Sequence, residues 1–106
     1  MIILFDVSPF EIVAEPARRA LLDALVAGPK PVGELSDAAG LSQPNTSRHL
    51  RILREAGIVS VTPDGQRRLY ALQPERLIEL DRWLIPYREL WRSSLDALER
   101  HLDEGS

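Results

Sequence analysis

The sequence predicts a mainly α-helical domain carrying one β-hairpin, and three stretches predict it. From Gly40 to Val59, a glycine turn, a serine cap, a helix with one apolar side and a glycine stop follow one another. Ile58 to Thr62 and Gln66 to Leu72 then read as two strands around Pro63-Asp64-Gly65, where Asp-Gly is a strong turn signal. From Pro74 to about Asp103, apolar residues recur at steps of three and four, the spacing of a long amphipathic helix. The expected order is four helices, a hairpin and a fifth helix. A chain of 106 residues has room for this as one domain over 1–106, with a core at 8–72 and a terminal helix at 74–103.

Each element has its own local signal. Ser8-Pro9-Phe10-Glu11 opens the first helix: serine can cap, proline suits the first turn, and the glutamate can complete a capping box. That helix ends near Ala14. Pro16 marks a second start, although Glu15 is a poor cap; Ala20, Leu21, Ala24 and Leu25 follow at helical spacing, and Gly28-Pro29 stops the run. A third helix spans about Val32 to Ala39, with Leu35, Ala38 and Ala39 expected to face inward. Gly40 supplies a left-handed turn residue, Leu41 tucks in and Ser42 caps the fourth helix, which makes the pair a helix-turn-helix unit. Gly57 ends the fourth helix, and Ile58 is placed to pack back on Leu53 in a Schellman closure.

Composition excludes several functions. Hydrophobic content of 44% and charged content of 27% are ordinary for a soluble globular protein. The absence of cysteine excludes disulfides, thiolate metal sites and thiol nucleophiles. The apolar run Met1 to Phe5 is too short for a signal sequence or a membrane span, so a cytoplasmic protein with no membrane partner is expected. A nucleophile–base–orienter set and a glycine-rich phosphate loop are both lacking, so no enzyme is expected. His49 and His101 stand far apart and do not make a metal site; His49 is expected to pack towards the core, and no cofactor is expected.

The net charge of −3 hides a partition. Between Gln43 and Arg68, five arginines face two acids, and the rest of the chain carries 8 basic and 14 acidic residues. Local charge governs contact with phosphates, so the basic segment can meet a polyanion despite the acidic total.

On a helical projection of residues 43–55, Thr46, His49, Leu50, Ile52 and Leu53 fall on one broad side. Pro44, Ser47, Arg48, Arg51 and Glu55 lie opposite, with Gln43 and Asn45 at the helix start. An amide such as Gln43 can read adenine edges, and Arg48 can fork onto guanine O6 and N7. Ser47 is small enough to let a helix sit deep in a groove. Arg51, a turn on, is better placed for phosphate, and the helix N-terminus offers free N–H groups to the backbone. The competing reading is an ordinary amphipathic helix whose outer face happens to carry arginines.

Taken together, these segments resemble the ArsR/SmtB family of winged-helix repressors over nearly the full chain. Ala14 to Leu22 is similar to the family's opening segment. Val32-Gly33-Glu34-Leu35, Leu41-Ser42-Gln43-Pro44, Ser47-Arg48-His49-Leu50, Leu53 and Glu55-Ala56-Gly57-Ile58-Val59 match its helix-turn-helix core. Arg67-Arg68-Leu69-Tyr70-Ala71-Leu72 resembles its wing, hairpin 58–72, with Tyr70 and Leu72 as inward anchors. The resemblance implies a winged helix-turn-helix fold and a homodimer built from the first and last helices. It further implies that recognition helix 42–56 occupies the major groove of double-stranded operator DNA and blocks transcription. Arg67 and Arg68 would reach the flanking backbone or minor groove. Where the family's founding metal sensors carry a cysteine pair, this chain has Glu34-Leu35-Ser36-Asp37, and its last helix offers only His101, so metal sensing is not expected. A small-molecule inducer remains open.

The apolar seam Leu77, Leu80, Leu84, Tyr87, Trp91, Leu95, Leu98 and Leu102 exceeds what one small core needs, which favours the same helix of a second subunit as partner. Pro86 lies inside this helix, so a kink or break near Ile85 is expected. Trp83, Tyr87 and Trp91 read as core, with a ligand pocket at the dimer interface as the alternative. A winged-helix module that binds protein and not specific DNA is the other functional reading.

Overall fold

The computed structural model describes residues 8–104; the run Met1 to Phe5 and the Gly105-Ser106 end lie outside them. Helices α1 (Pro9–Val13), α2 (Pro16–Leu25), α3 (Val32–Ala39) and α4 (Gln43–Glu55) are followed by strands β1 (Val59–Asp64) and β2 (Arg67–Leu72). A 3-10 turn (Pro74–Leu77) leads into α5 (Ile78–Glu104). The core is one apolar cluster, Ile12, Leu21, Leu22, Leu25, Leu35, Leu50, Leu53, Ala56, Ile58 and Val59. Every element from α1 to β1 contributes to it, so the first three helices hold α4 and the hairpin in fixed register. Burial of each large side chain stabilises the fold by about 1.5–3 kcal/mol.

The caps behave as their chemistry requires. The Ser8 hydroxyl accepts from the Phe10 N–H at 3.2 Å, whereas Glu15 makes no side-chain cap bond to α2. Two guanidinium groups supply a different tie there: Arg18 Nε donates to the Ile12 carbonyl at 2.7 Å. Arg19 donates to the carbonyls of Val13 and Ala14 at 2.6 and 3.0 Å. These satisfy carbonyls at the end of α1 that a helix of this length leaves open.

Helix α3 departs from expectation at one residue. Leu35 is fully buried, but Ser36 is buried beside it while Ala38 is exposed. Successive residues advance by 100°, so a face centred between Leu35 and Ser36 takes in Ala39 and turns Ala38 outward.

The hairpin is tighter than the sequence suggested. Pairing runs from Val59↔Leu72 to Asp64↔Arg67, leaving Gly65-Gln66 as a two-residue turn. Gly65 has φ +64°, as the first central residue of a type II′ turn requires. The strand continues through Pro63 because the pair next to the closing one points its N–H groups away from the partner strand, where proline loses nothing. By the same alternation Tyr70 points its N–H and carbonyl outward, and both meet Lys30, at 2.9 and 3.0 Å. This second pairing joins the α2–α3 connection to the wing and has no signal in the sequence.

The predicted helix 74–103 begins with the 3-10 turn and then runs without a break through Pro86 to Glu104. Pro86 and Arg82, whose carbonyl loses its usual partner, both lie on the exposed surface, so the missing bond is not a buried one. No residue of α5 is buried. Phe10 and Trp83 meet edge to face at 5.5 Å, tying α1 to α5, and Trp83 stacks obliquely on Tyr87 at 5.0 Å.

Candidate nucleic-acid interface

Helix α4 is fixed at both ends. Ser42 Oγ accepts from the Asn45 N–H at 3.2 Å, and the Ser42 carbonyl accepts from the Thr46 N–H and hydroxyl, each at 2.9 Å. At the far end the Ile58 N–H bonds the Leu53 carbonyl at 2.9 Å and the Gly57 N–H bonds that of Arg54 at 3.0 Å, a complete Schellman closure around Gly57 at φ +78°. The turn from α3 closes the same way: Gly40 at φ +67° donates to Asp37, and Leu41 donates to Ser36. A reading helix needs this fixity, because base recognition depends on holding side chains at set positions along the groove.

The two sides of α4 are sharply divided. Thr46, His49, Leu50 and Leu53 are buried and Ile52 packs against the same core. Gln43, Pro44, Asn45, Ser47, Arg48, Arg51 and Glu55 are all exposed. Pro44, Ser47, Arg48 and Arg51 line one open surface depression, so three of the expected contact residues, Ser47, Arg48 and Arg51, form a continuous patch. The Gln43 amide lies close over Gly33 of α3, which places it at the corner between the two helices.

His49 occupies the inward side, as its place in the helical repeat suggested. Burial holds its pKa below the ordinary 6.5, the positive charges of Arg48 and Arg18 lower it further, and Glu15 opposes them. Its Nδ1 and the Ser36 hydroxyl are buried without a hydrogen-bond partner among the described residues. Among the described residues, no group of three or more His, Cys, Asp or Glu could hold a metal ion.

The hairpin brings Arg67 and Arg68 to the surface but on opposite faces, because side chains alternate along a strand. Arg67 Nε bonds Asp64 at 3.1 Å. Arg68 lines a depression of about 240 Å³ with Val61, Pro63 and Arg54, the last basic residue of α4. Arg54 counted in the basic segment but was not among the expected contact residues. Its signal, a basic residue in the last turn before a strand, gains meaning only once the hairpin folds back beside it.

The proposed dimer seam divides in two. Leu77 packs against the domain's own core, and Leu80 and Leu84 are half-buried. Tyr87, Trp91, Leu95 and Leu98 are exposed, Leu95 to 65%, together with Leu102 and the unanticipated Ile78, Ile85 and Leu90. Trp83 and Trp91 are more than half exposed, so in a single chain the aromatic group is neither core nor an enclosed pocket. No helix among the described residues is long and apolar enough to cross a membrane.

Residues 15–61 match the model of the bacterial regulatory protein arsR family. The chain is 31% identical over 78 residues to the transcriptional repressor SdpR of Bacillus subtilis, covering 74% of this chain and 87% of that protein. It is 39% identical over 71 residues to the HTH-type transcriptional regulator Rv2034 of Mycobacterium tuberculosis, covering 67% of this chain and 66% of that protein, just under two thirds. A crystal structure described as a possible transcriptional regulator for arsenical resistance superposes with a TM-score of 0.67 at 37% identity, covering 82% of this chain and 93% of that one. The cap-turn-helix unit of α3 and α4 lies within the family match, which ends at residue 61 inside β1. The chain belongs to the ArsR family of bacterial regulatory proteins.

Proposed function

We propose that the chain is a homodimeric, sequence-specific repressor that occupies operator DNA with α4 in the major groove and the wing on the flanking backbone. The observation that carries this reading is the division of α4: one side is locked into the core while Gln43, Asn45, Ser47, Arg48 and Arg51 stand exposed together. Such a helix offers hydrogen-bonding side chains to base edges without loosening the fold beneath it. The exposed stripe on α5 supports pairing. A 27-residue helix with no buried residue presents Tyr87, Leu90, Trp91, Leu95, Leu98 and Leu102 as an exposed apolar stripe, the kind of surface that marks an interaction site. A symmetric partner would cover it and place two reading helices on one duplex. The regulator would then act in the cytoplasm, where its DNA lies. Relief by a small molecule would require the partner chain to enclose Trp83, Tyr87 and Trp91.

A mobility-shift assay with the purified protein and its own promoter region tests this. A specific complex that survives physiological salt and resists random competitor DNA is expected. Retention of all duplexes alike, or of none, would overturn the reading.

A further inference from the structure

We propose that Arg54 of α4 and Arg68 of the wing form one clamp for a single DNA backbone phosphate, and that Arg67 stands outside it. The inference rests on the DNA-binding reading and adds a contact residue and a division of labour to it.

The hairpin register decides the geometry. Arg68 pairs with Pro63, and Val61 pairs with Tyr70. Cross-strand partners and alternate residues share a face, so Val61, Pro63, Arg68 and Tyr70 lie on one side of the hairpin. Tyr70 packs against the core, which identifies that side as the one turned towards the helices. Arg68 therefore leans over the end of α4, where it lines the 240 Å³ depression with Arg54, Val61 and Pro63. Arg67 pairs with Asp64 on the opposite face and is bound to its carboxylate.

Two guanidinium groups around one small depression repel each other, and its remaining walls, Val61 and Pro63, supply no counter-charge. A bridging anion removes that repulsion and accepts hydrogen bonds from both forks. The depression lies between the reading helix and the wing, where a backbone following the groove edge must pass. It also lies beyond the base-reading face of Ser47 and Arg48, so contact there carries affinity and not sequence choice. The competing role for Arg54 is structural, a basic group complementing the C-terminal end of the α4 dipole.

The test measures binding of the full-length protein to two labelled duplexes across a salt series, one selected by the wild type from a random pool and one of random sequence. R54A and R68A should each weaken both duplexes by a similar factor, on the order of 5–10-fold. R54A/R68A should lose less than the product of the two and lower the salt slope by about 0.9, the value for one phosphate. R67A should lose less than R68A, and R54K should recover much of what R54A loses. Thermal melting of each variant checks the fold, since all three arginines are exposed. Full binding by R54A, equal losses from R67A and R68A, or fully multiplicative losses in the double variant would overturn the clamp. A wild type that selects no duplex would overturn the DNA reading itself, and the clamp with it.

Discussion

Lys30 and Tyr70, forty residues apart, exchange both backbone hydrogen bonds, at 3.0 and 2.9 Å, and so stitch the α2–α3 connection to the outer edge of the wing. The wing is thus tied to the helical body by a backbone bridge and is not a free hairpin, and its arginines are carried at a fixed distance from α3. Lys30→Pro removes one donor and leaves the Tyr70 carbonyl without its partner. A loss of about 0.5–1.5 kcal/mol in stability is expected. Faster hydrogen exchange across β2 should accompany it, and unchanged exchange there would show that the bridge does not hold the wing.

Arg48→Ala removes the exposed fork at the centre of the α4 patch. At one position in each half-site, base preference should relax and affinity for the preferred sequence should fall by about 1–3 kcal/mol. Competition between duplexes differing at single positions measures it. Equal weakening on every sequence would make Arg48 a phosphate contact.

His49 makes stability depend on pH. Its pKa lies below the ordinary 6.5 in the fold, so folding favours the neutral ring. That contribution is complete above about pH 6.5 and is lost as pH falls through 6.5 towards the lower folded value. The urea midpoint should therefore drop between pH 7.5 and pH 5, and His49→Gln should flatten part of the drop. A His49 titration at or above 6.5, followed by NMR, would contradict the assignment.

Leu95→Glu and Leu98→Glu place charges on the exposed stripe of α5. Each leucine covered by a partner is worth about 1.5–3 kcal/mol, felt twice in a symmetric pair. Sedimentation should show dimer giving way to monomer, with weaker operator binding and an unchanged helical spectrum. Wild-type monomer at all concentrations would remove the basis for pairing through α5.

Much of this was legible in the residues because local chemistry and tertiary packing agree. Ser42, Gly40 and Gly57 mark the ends of α3 and α4 through caps and left-handed turns, which act within a few residues. The two faces of α4 follow from its repeat alone. What escaped depends on segments distant in sequence. The Lys30–Tyr70 pairing joins backbone groups that any residue carries, so no side-chain pattern announces it. Arg54 acquires a neighbour only when β2 folds back, and the Gly65-Gln66 turn, in place of Pro63-Asp64-Gly65, sets which β1 residues Arg67 and Arg68 pair with. Pro86 carries the intrinsic cost of a missing helix bond, yet at this exposed site the helix runs through it without a break.

The bonds from Arg18 and Arg19 to the carbonyls of Ile12, Val13 and Ala14 have a mechanical meaning. Swinging α1 about the Ala14-Glu15 link would break three contacts at once, so α1 behaves as a bracket bolted to α2 and not as a hinge. Through the Phe10–Trp83 contact, the rod α5 takes its bearing from that bracket. In a symmetric pair, the angle at which the rod leaves the bracket acts as a calliper: it sets how far apart the two reading helices stand, and hence which half-site spacing the pair can span.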